Sequence, residues 1–95
     1  MSAQLYLGGL DVGTSGCKVT VFRADGPCAE SHYAPYESHH TADTHTISGR
    51  DILRAVEQVL GAVTVPLAAL GVTSFGESFA LLDAHGEILA DTMLY

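Results

Sequence analysis

The sequence predicts an α/β domain in which a mixed sheet carries one main helix, with elements in the order β-β-β-α-β-β-β. Three observations lead there. Residues 4–36 hold three short strand-like runs separated by bends rich in turn residues. A single apolar stripe at helical spacing follows a polar stretch. The remainder returns to short apolar runs broken by glycine and polar residues.

Taken in order, residues 4–11, QLYLGGLD, read as the first strand. Residues 17–23, CKVTVFR, alternate cleanly, with Val19, Val21 and Arg23 on one face and Lys18, Thr20 and Phe22 on the other. Residues 24–27, ADGP, carry the Asp-Gly dipeptide of a hairpin turn. Residues 28–36, CAESHYAPY, form a weaker third strand, and Pro35, which has no N–H to give, belongs near its end or on an edge. Residues 37–47, ESHHTADTHTI, are polar without an apolar period and read as a loop.

Ser48 is placed to cap a helix, with Asp51 where a capping box usually has Glu. Ile52, Leu53, Val56, Val59, Leu60 and Val63 then fall on one stripe, which reads as core, and Gly61 and Pro66 bracket its end. Residues 68–74, AALGVTS, read as a short buried strand. Residues 79–83 and 88–95 read as two more, turned by Ala84 to Gly86. Tyr33, Tyr36, Phe79 and Tyr95 are scattered and are assigned to packing.

Ninety-five residues make one domain at most. Such a chain buries roughly 65% of its unfolded surface, enough for one modest core. With 47% hydrophobic and 16% charged residues, the composition is that of a folded domain and excludes disorder. The net charge is −7, and Lys18, Arg23, Arg50 and Arg54 cannot assemble a basic patch. Non-specific binding to nucleic acid or to an anionic membrane surface is not expected on that ground. A polyanion would have to be met by backbone amides and a metal ion. No apolar run approaches the ~20 residues that span a bilayer, and MSAQLYLGG lacks the features of a signal peptide. Cys17 and Cys28 have no CxxC spacing, so two reduced thiols in a cytoplasmic protein are expected. The sequence stops at Tyr95 inside an apolar run, which reads as a piece of a longer protein.

The chemistry concentrates between the first two strands, in DVGTSGCK, residues 11–18. A tight bend of small residues turns consecutive N–H groups toward one point and makes an anion-binding concavity. Gly13 and Gly16 tolerate positive φ and let a ligand approach the backbone. Thr14 and Ser15 add hydroxyls, and Lys18 adds a charge. Asp11 would repel a phosphate unless a cation stood between them, and Mg²⁺, held by carboxylate and water while bridging phosphate oxygens, is the natural one. The bend leads into a strand, so it is neither a Walker A loop nor a dinucleotide fingerprint. The competing reading is a plain polar hairpin loop whose Asp and Gly serve only the turn.

LGGLDVGTSGCKVTVFRADG, residues 7–26, resembles the first phosphate-binding segment of the actin-like ATPase superfamily, and within it the FGGY carbohydrate kinases, such as xylulokinase, gluconokinase and glycerol kinase. LAALGVTSFGESFALLDAHGEILADTMLY, residues 67–95, resembles that family's strand, sugar-contacting loop and following strand pair. The likeness covers nearly the whole chain; residues 37–47 carry no feature of it. It implies the N-terminal portion of an actin-like (ribonuclease H-like) ATPase domain, residues 1–95 being part of a larger kinase with a second domain. The implied function is ATP-dependent phosphorylation of a sugar or polyol hydroxyl.

Carried over by residue, the resemblance puts Asp11 near the magnesium, Gly13, Thr14 and Ser15 at the ATP phosphates, and Lys18 facing them. It puts Glu77 in the loop that contacts the sugar. There, glycerol-kinase-like members carry Arg-Glu and xylulokinase-like members Met-His. This chain has Gly76-Glu77, keeping only the acidic half, and Phe75 stands where Gln is common. Read without the resemblance, Glu77 is a solvated loop residue. The family's catalytic aspartate lies much further along, so no catalytic residue is expected within residues 1–95 and the chain alone is expected to be inactive.

Two further features are weighed. His39, His40, Asp43 and His45 crowd one loop, but no partner ligands recur at helical or CxxC spacing, so a solvated polar loop is expected rather than zinc or nickel binding. Cys17, beside the bend, would gain acidity if the amides pointed at it, but the alternation sends it into the sheet as a small apolar residue. A different class of function stands beside the kinase: a non-catalytic module that forms homo-oligomers through exposed sheet edges, which invite strand addition.

Overall fold

The computed structural model describes residues 4–76, 78–90 and 92–93. In chain order they form β1 (Tyr6–Val12), β2 (Gly16–Arg23), β3 (Cys28–Pro35), β4 (Ser38–His40), β5 (His45–Ile47), α1 (Gly49–Ala62), β6 (Ala69–Ser74), β7 (Leu81–Leu82), β8 (Ile88–Ala90) and β9 (Thr92–Met93). The main sheet runs β3-β2-β1-β6. β1 pairs antiparallel with β2, β2 antiparallel with β3, and β1 parallel with β6. A parallel return needs a crossover, and α1 lies on that crossover between β3 and β6. This is the mixed sheet with one main helix that the sequence predicts.

Alternation along β2 sets the two faces. Cys17, Val19 and Val21 are fully buried, and with Leu10, Ala34, Tyr36, Ile47, Ala55 and Val59 they make the core. α1 lies over β2 and β3. Burying each of these branched side chains contributes about 1.5–3 kcal/mol. Asp11, Lys18 and Phe22 face the other way and are exposed. Of the predicted stripe, Val59 is buried and Ile52, Val56, Leu60 and Val63 pack against the core, whereas Leu53 is exposed and Ala55 takes the central place.

The turns follow the sequence closely. Gly26 adopts φ 121°, and its N–H donates to the Arg23 carbonyl at 2.9 Å, closing the Asp-Gly turn. Ser48 caps α1: its Oγ accepts from the Asp51 N–H at 3.4 Å. Asp51 also places negative charge at the positive end of the helix dipole. The far end differs from expectation. Gly61 lies inside the last turn, and the helix stops at an extended Val63 rather than at a left-handed glycine.

Three expectations are corrected. Residues 37–47 are a hairpin rather than a loop: β4 and β5 pair antiparallel, with His39 opposite Thr46 and His40 opposite His45. Its turn is held by Thr41, whose Oγ1 accepts from the Thr44 N–H at 3.0 Å while its N–H donates to the Thr44 carbonyl at 2.8 Å. β4 is exposed throughout, so no apolar period marks it; the anchor is Ile47 at the end of β5. β6 is not buried: all six of its residues are exposed, because among the described residues it pairs only with β1 and α1 covers the other end of the sheet. The later strands are shorter than expected, with β7 reduced to two residues and Phe79 exposed. Tyr95 lies outside the described residues. Among those described, no helix is long and apolar enough to cross a membrane.

Candidate functional site

The bend joining β1 to β2 comprises Gly13, Thr14 and Ser15. Most carbonyls in and around it are engaged. The Val12 carbonyl accepts from the Phe75 N–H at 3.0 Å, and the Gly16 carbonyl accepts from the Gly13 N–H at 2.9 Å. The Gly13 carbonyl accepts a hydrogen bond from the Tyr36 phenol. The Ser15 carbonyl accepts from the Tyr36 N–H at 3.1 Å and from the Tyr33 phenol at 3.4 Å. The Thr14 and Ser15 N–H groups, by contrast, have no hydrogen-bond partner among the described residues. Engaged carbonyls and free amides leave the outer side of the bend a donor surface, which is the requirement for holding an anion.

Gly13 and Gly16 do not use positive φ, correcting the reason expected for them; the described glycines with positive φ are Gly26 and Gly86. Gly16 is required by space. A Cβ there would lie 2.5 Å from Tyr33 Oη and 2.7 Å from the Ala34 carbonyl oxygen.

Register places the charged residues. Asp11 stands directly opposite Lys18 on β2 and level with Thr73 on β6. Leu10 is buried in the core, so Asp11 takes the opposite face and is exposed. Asp11 and Lys18 form no ion pair with each other or with another described residue. Asp11 borders an open depression of about 470 Å³ whose lining includes Gly9, Thr20, Phe22, Gly71 and Thr73. A free carboxylate, a free ammonium, two free amides and two exposed hydroxyls thus stand at one end of the sheet. The set fits a magnesium-phosphate group, because magnesium keeps most of its waters and needs only one or two carboxylates.

Glu77 lies outside the described residues. Phe75, two positions earlier, is tied to the end of β1 through Val12, so the segment leading to Glu77 leaves the sheet beside the bend.

Two tyrosines assigned to packing belong to the site. Tyr36 is buried in the core and still spends both its N–H and its phenol on the bend. The hairpin register held only part of the signal: counted back from the Asp-Gly turn it leads to Ala34 opposite Gly16, and a β-bulge between Val21 and Phe22 shifts it by one, so that Pro35 pairs with Gly16 and Tyr36 is set against the bend. Cys17 is fully buried, and burial pushes its thiol up, with a backbone hydrogen bond opposing in part. It packs, as the alternation predicts. In the β4–β5 hairpin, the His40 and His45 rings stack with centroids 3.6 Å apart. Among the described residues no group of three or more His, Cys, Asp or Glu side chains could hold a metal.

The fold, a mixed sheet carrying one main helix, is shared with sugar kinases of known structure. The gluconate kinase from Lactobacillus acidophilus superposes with a TM-score of 0.85 at 22% identity, over 96% of this chain and 20% of its own. The ligand-bound xylulose kinase from the same organism gives 0.82 at 22%, over 93% and 19%. The Plasmodium falciparum glycerol kinase with ADP gives 0.87 at 14%, over 96% and 20%. At these identities the likeness is one of fold, and the chain spans about a fifth of the length of these kinases. No protein-family model matches the sequence, and no curated protein does.

Proposed function

We propose that the chain is the N-terminal part of an ATP-dependent sugar or polyol kinase, contributing one wall of its phosphoryl-transfer cleft. The observation that carries this is the pair of free amides at Thr14 and Ser15, held between Asp11 and Lys18 on a fold shared with sugar kinases. Thr14 and Ser15 would receive the ATP phosphates through N–H and O–H, with Gly13 leaving room for their approach. Lys18 would neutralise phosphate charge, and Asp11 would hold magnesium through water. The metal, when bound, supplies charge neutralisation across the phosphate oxygens. Glu77 would orient a substrate hydroxyl. Two unpaired thiols suit the reducing cytoplasm, where ATP is available.

Phosphoryl transfer is mostly positioning and charge stabilisation, and it needs both walls of a cleft. The 95-residue chain alone is therefore expected to show no turnover and only millimolar affinity for Mg-ATP. Asp11→Asn tests the assignment. Asp11 is exposed and unpaired, so the variant should keep its thermal stability while losing the magnesium dependence of ATP binding, as read by isothermal titration with and without the metal. Equal magnesium dependence in both proteins would sink the role of Asp11.

A non-catalytic module is the second reading, favoured by the exposure of β6 along its full length. The reading frame beyond Tyr95 separates the two: a second glycine-rich segment and an Asp-bearing catalytic segment there would support the kinase.

A further inference from the structure

We infer that Tyr36 is a positioning residue for the bend: its buried phenol holds the Gly13 carbonyl on the α1 side of the sheet and so aims the Thr14 N–H at the face bearing Asp11 and Lys18. The inference rests on the phosphate reading above and adds the residue that prepares the donor before any ligand arrives.

The geometry follows from peptide planarity. In a trans peptide the N–H points opposite to the C=O it shares a plane with. Tyr36 belongs to the core cluster, on the side covered by α1, and beside it Asp51 and Ala55 of that helix line one pocket. A Gly13 carbonyl turned toward the phenol leaves the Thr14 N–H directed to the opposite face. Alternation along β1 and β2 puts Asp11 and Lys18 on that same face.

Little else fixes this peptide. The Gly13 N–H is tied to Gly16, but Gly13 has no Cβ to restrict rotation beyond it. The Thr14 carbonyl has no hydrogen-bond partner among the described residues. Without the phenol, the Gly13–Thr14 peptide is free to turn over. Tyr33 cannot substitute, because its contact is with the Ser15 carbonyl, at 3.4 Å, from an exposed position. The phenol is also a constant donor. Burial, with smaller contributions from Cys17, Tyr33 and Asp11, pushes Tyr36 up to about 12, so the O–H stays protonated at neutral pH.

Nuclear magnetic resonance of the isotope-labelled chain, wild type against Tyr36→Phe, tests both parts. Without ligand, removing the hydroxyl should shift the Gly13 carbonyl ¹³C and Thr14 amide ¹⁵N resonances and leave Val19 and Val21 in place. On titration with Mg-ATP, the wild-type Thr14 and Ser15 amides should move with a millimolar midpoint. In Tyr36→Phe that midpoint should rise about tenfold, the scale of one lost hydrogen bond to a charged group. Tyr33→Phe should change it far less. An unchanged Gly13 carbonyl, or equal midpoints for wild type and Tyr36→Phe, overturns the inference. Wild-type amides that ignore Mg-ATP overturn it too, and an intact ligand-free shift then marks the phosphate reading as the part that failed. Should Tyr36→Phe lose spectral dispersion, the wild-type Tyr36 hydroxyl proton decides: slow exchange with cross-relaxation to Thr14 supports the inference, and fast exchange overturns it.

Discussion

Glu30 does more structural work than its place on an edge strand suggests. Its Oε1 accepts from the Thr64 N–H at 3.0 Å, its Oε2 accepts from the Thr64 hydroxyl at 2.6 Å, and Oε1 lies 2.6 Å from His32 Nε2. One carboxylate thus ties β3 to the segment leaving α1. The Thr64 hydroxyl first, then His32, hold the Glu30 carboxyl below the ordinary carboxylate range, against an opposing effect of burial. A lowered folded value means that the unfolded chain binds the proton more readily. The contribution is therefore fully present above the ordinary carboxylate range and is lost as pH falls through the folded value. Glu30→Gln should lower the thermal midpoint at neutral pH, and its midpoint should fall less steeply than that of wild type on acidification. Parallel melting curves at every pH would remove Glu30 from this account.

At the scale of elements, α1 decides which face of the sheet is core. It covers β2 and β3, which leaves the Asp11–Lys18 face open at the bend. The helix depends on its N-terminal cap, since its other end has no basic residue in the last turn and no left-handed glycine. Ser48→Ala should cost about 1 kcal/mol in urea unfolding. Because Ser48 directly follows Ile47, a fully buried core residue, the loss should appear in global unfolding rather than as local fraying. A midpoint equal to that of wild type would show that the long 3.4 Å cap bond contributes nothing.

At the scale of the whole molecule, the surface is larger than a 10.0 kDa chain ordinarily keeps. Its 6392 Å² compares with about 5,200 Å² from the size scaling of monomeric proteins. The radius of gyration, 15.7 Å, compares with about 12 Å for a compact domain of this length. The excess, about 1,200 Å², is more than the roughly 800 Å² that one partner contributes to a standard interface. β6 carries part of the exposed apolar surface, with Val72 at 65% and Leu70 at 39% exposure, and it is an edge strand. Expressed alone, the chain should self-associate, its weight-average mass rising with concentration in sedimentation velocity. Val72→Lys, which puts a charge on that edge, should shift the mass toward the monomer. A wild-type chain that stays monomeric at high concentration would remove the self-associating module from consideration.

Local chemistry made part of this protein legible at once. The alternation of Val19 and Val21, the Asp-Gly turn, the Ser48 cap and the small-residue bend each depend on residues close in sequence, and each stands where those residues put it. The β4–β5 hairpin was hidden because β4 is exposed throughout and Ile47 is the one apolar residue of the pair, which leaves no apolar period. The openness of β6 was hidden because an apolar run looks the same whether or not a neighbour covers it. The part of Tyr36 was hidden because a tyrosine near the end of a strand reads as packing until the register of β2 against β3 brings it under Gly13. Sequence by itself determined where the chain turns, which residues alternate inward, and that a donor-rich bend lies beside a carboxylate. Tertiary structure alone decided which carbonyls of that bend are occupied and which amides are left free, because hydrogen bonds from residues far along the chain set the orientation of each peptide plane.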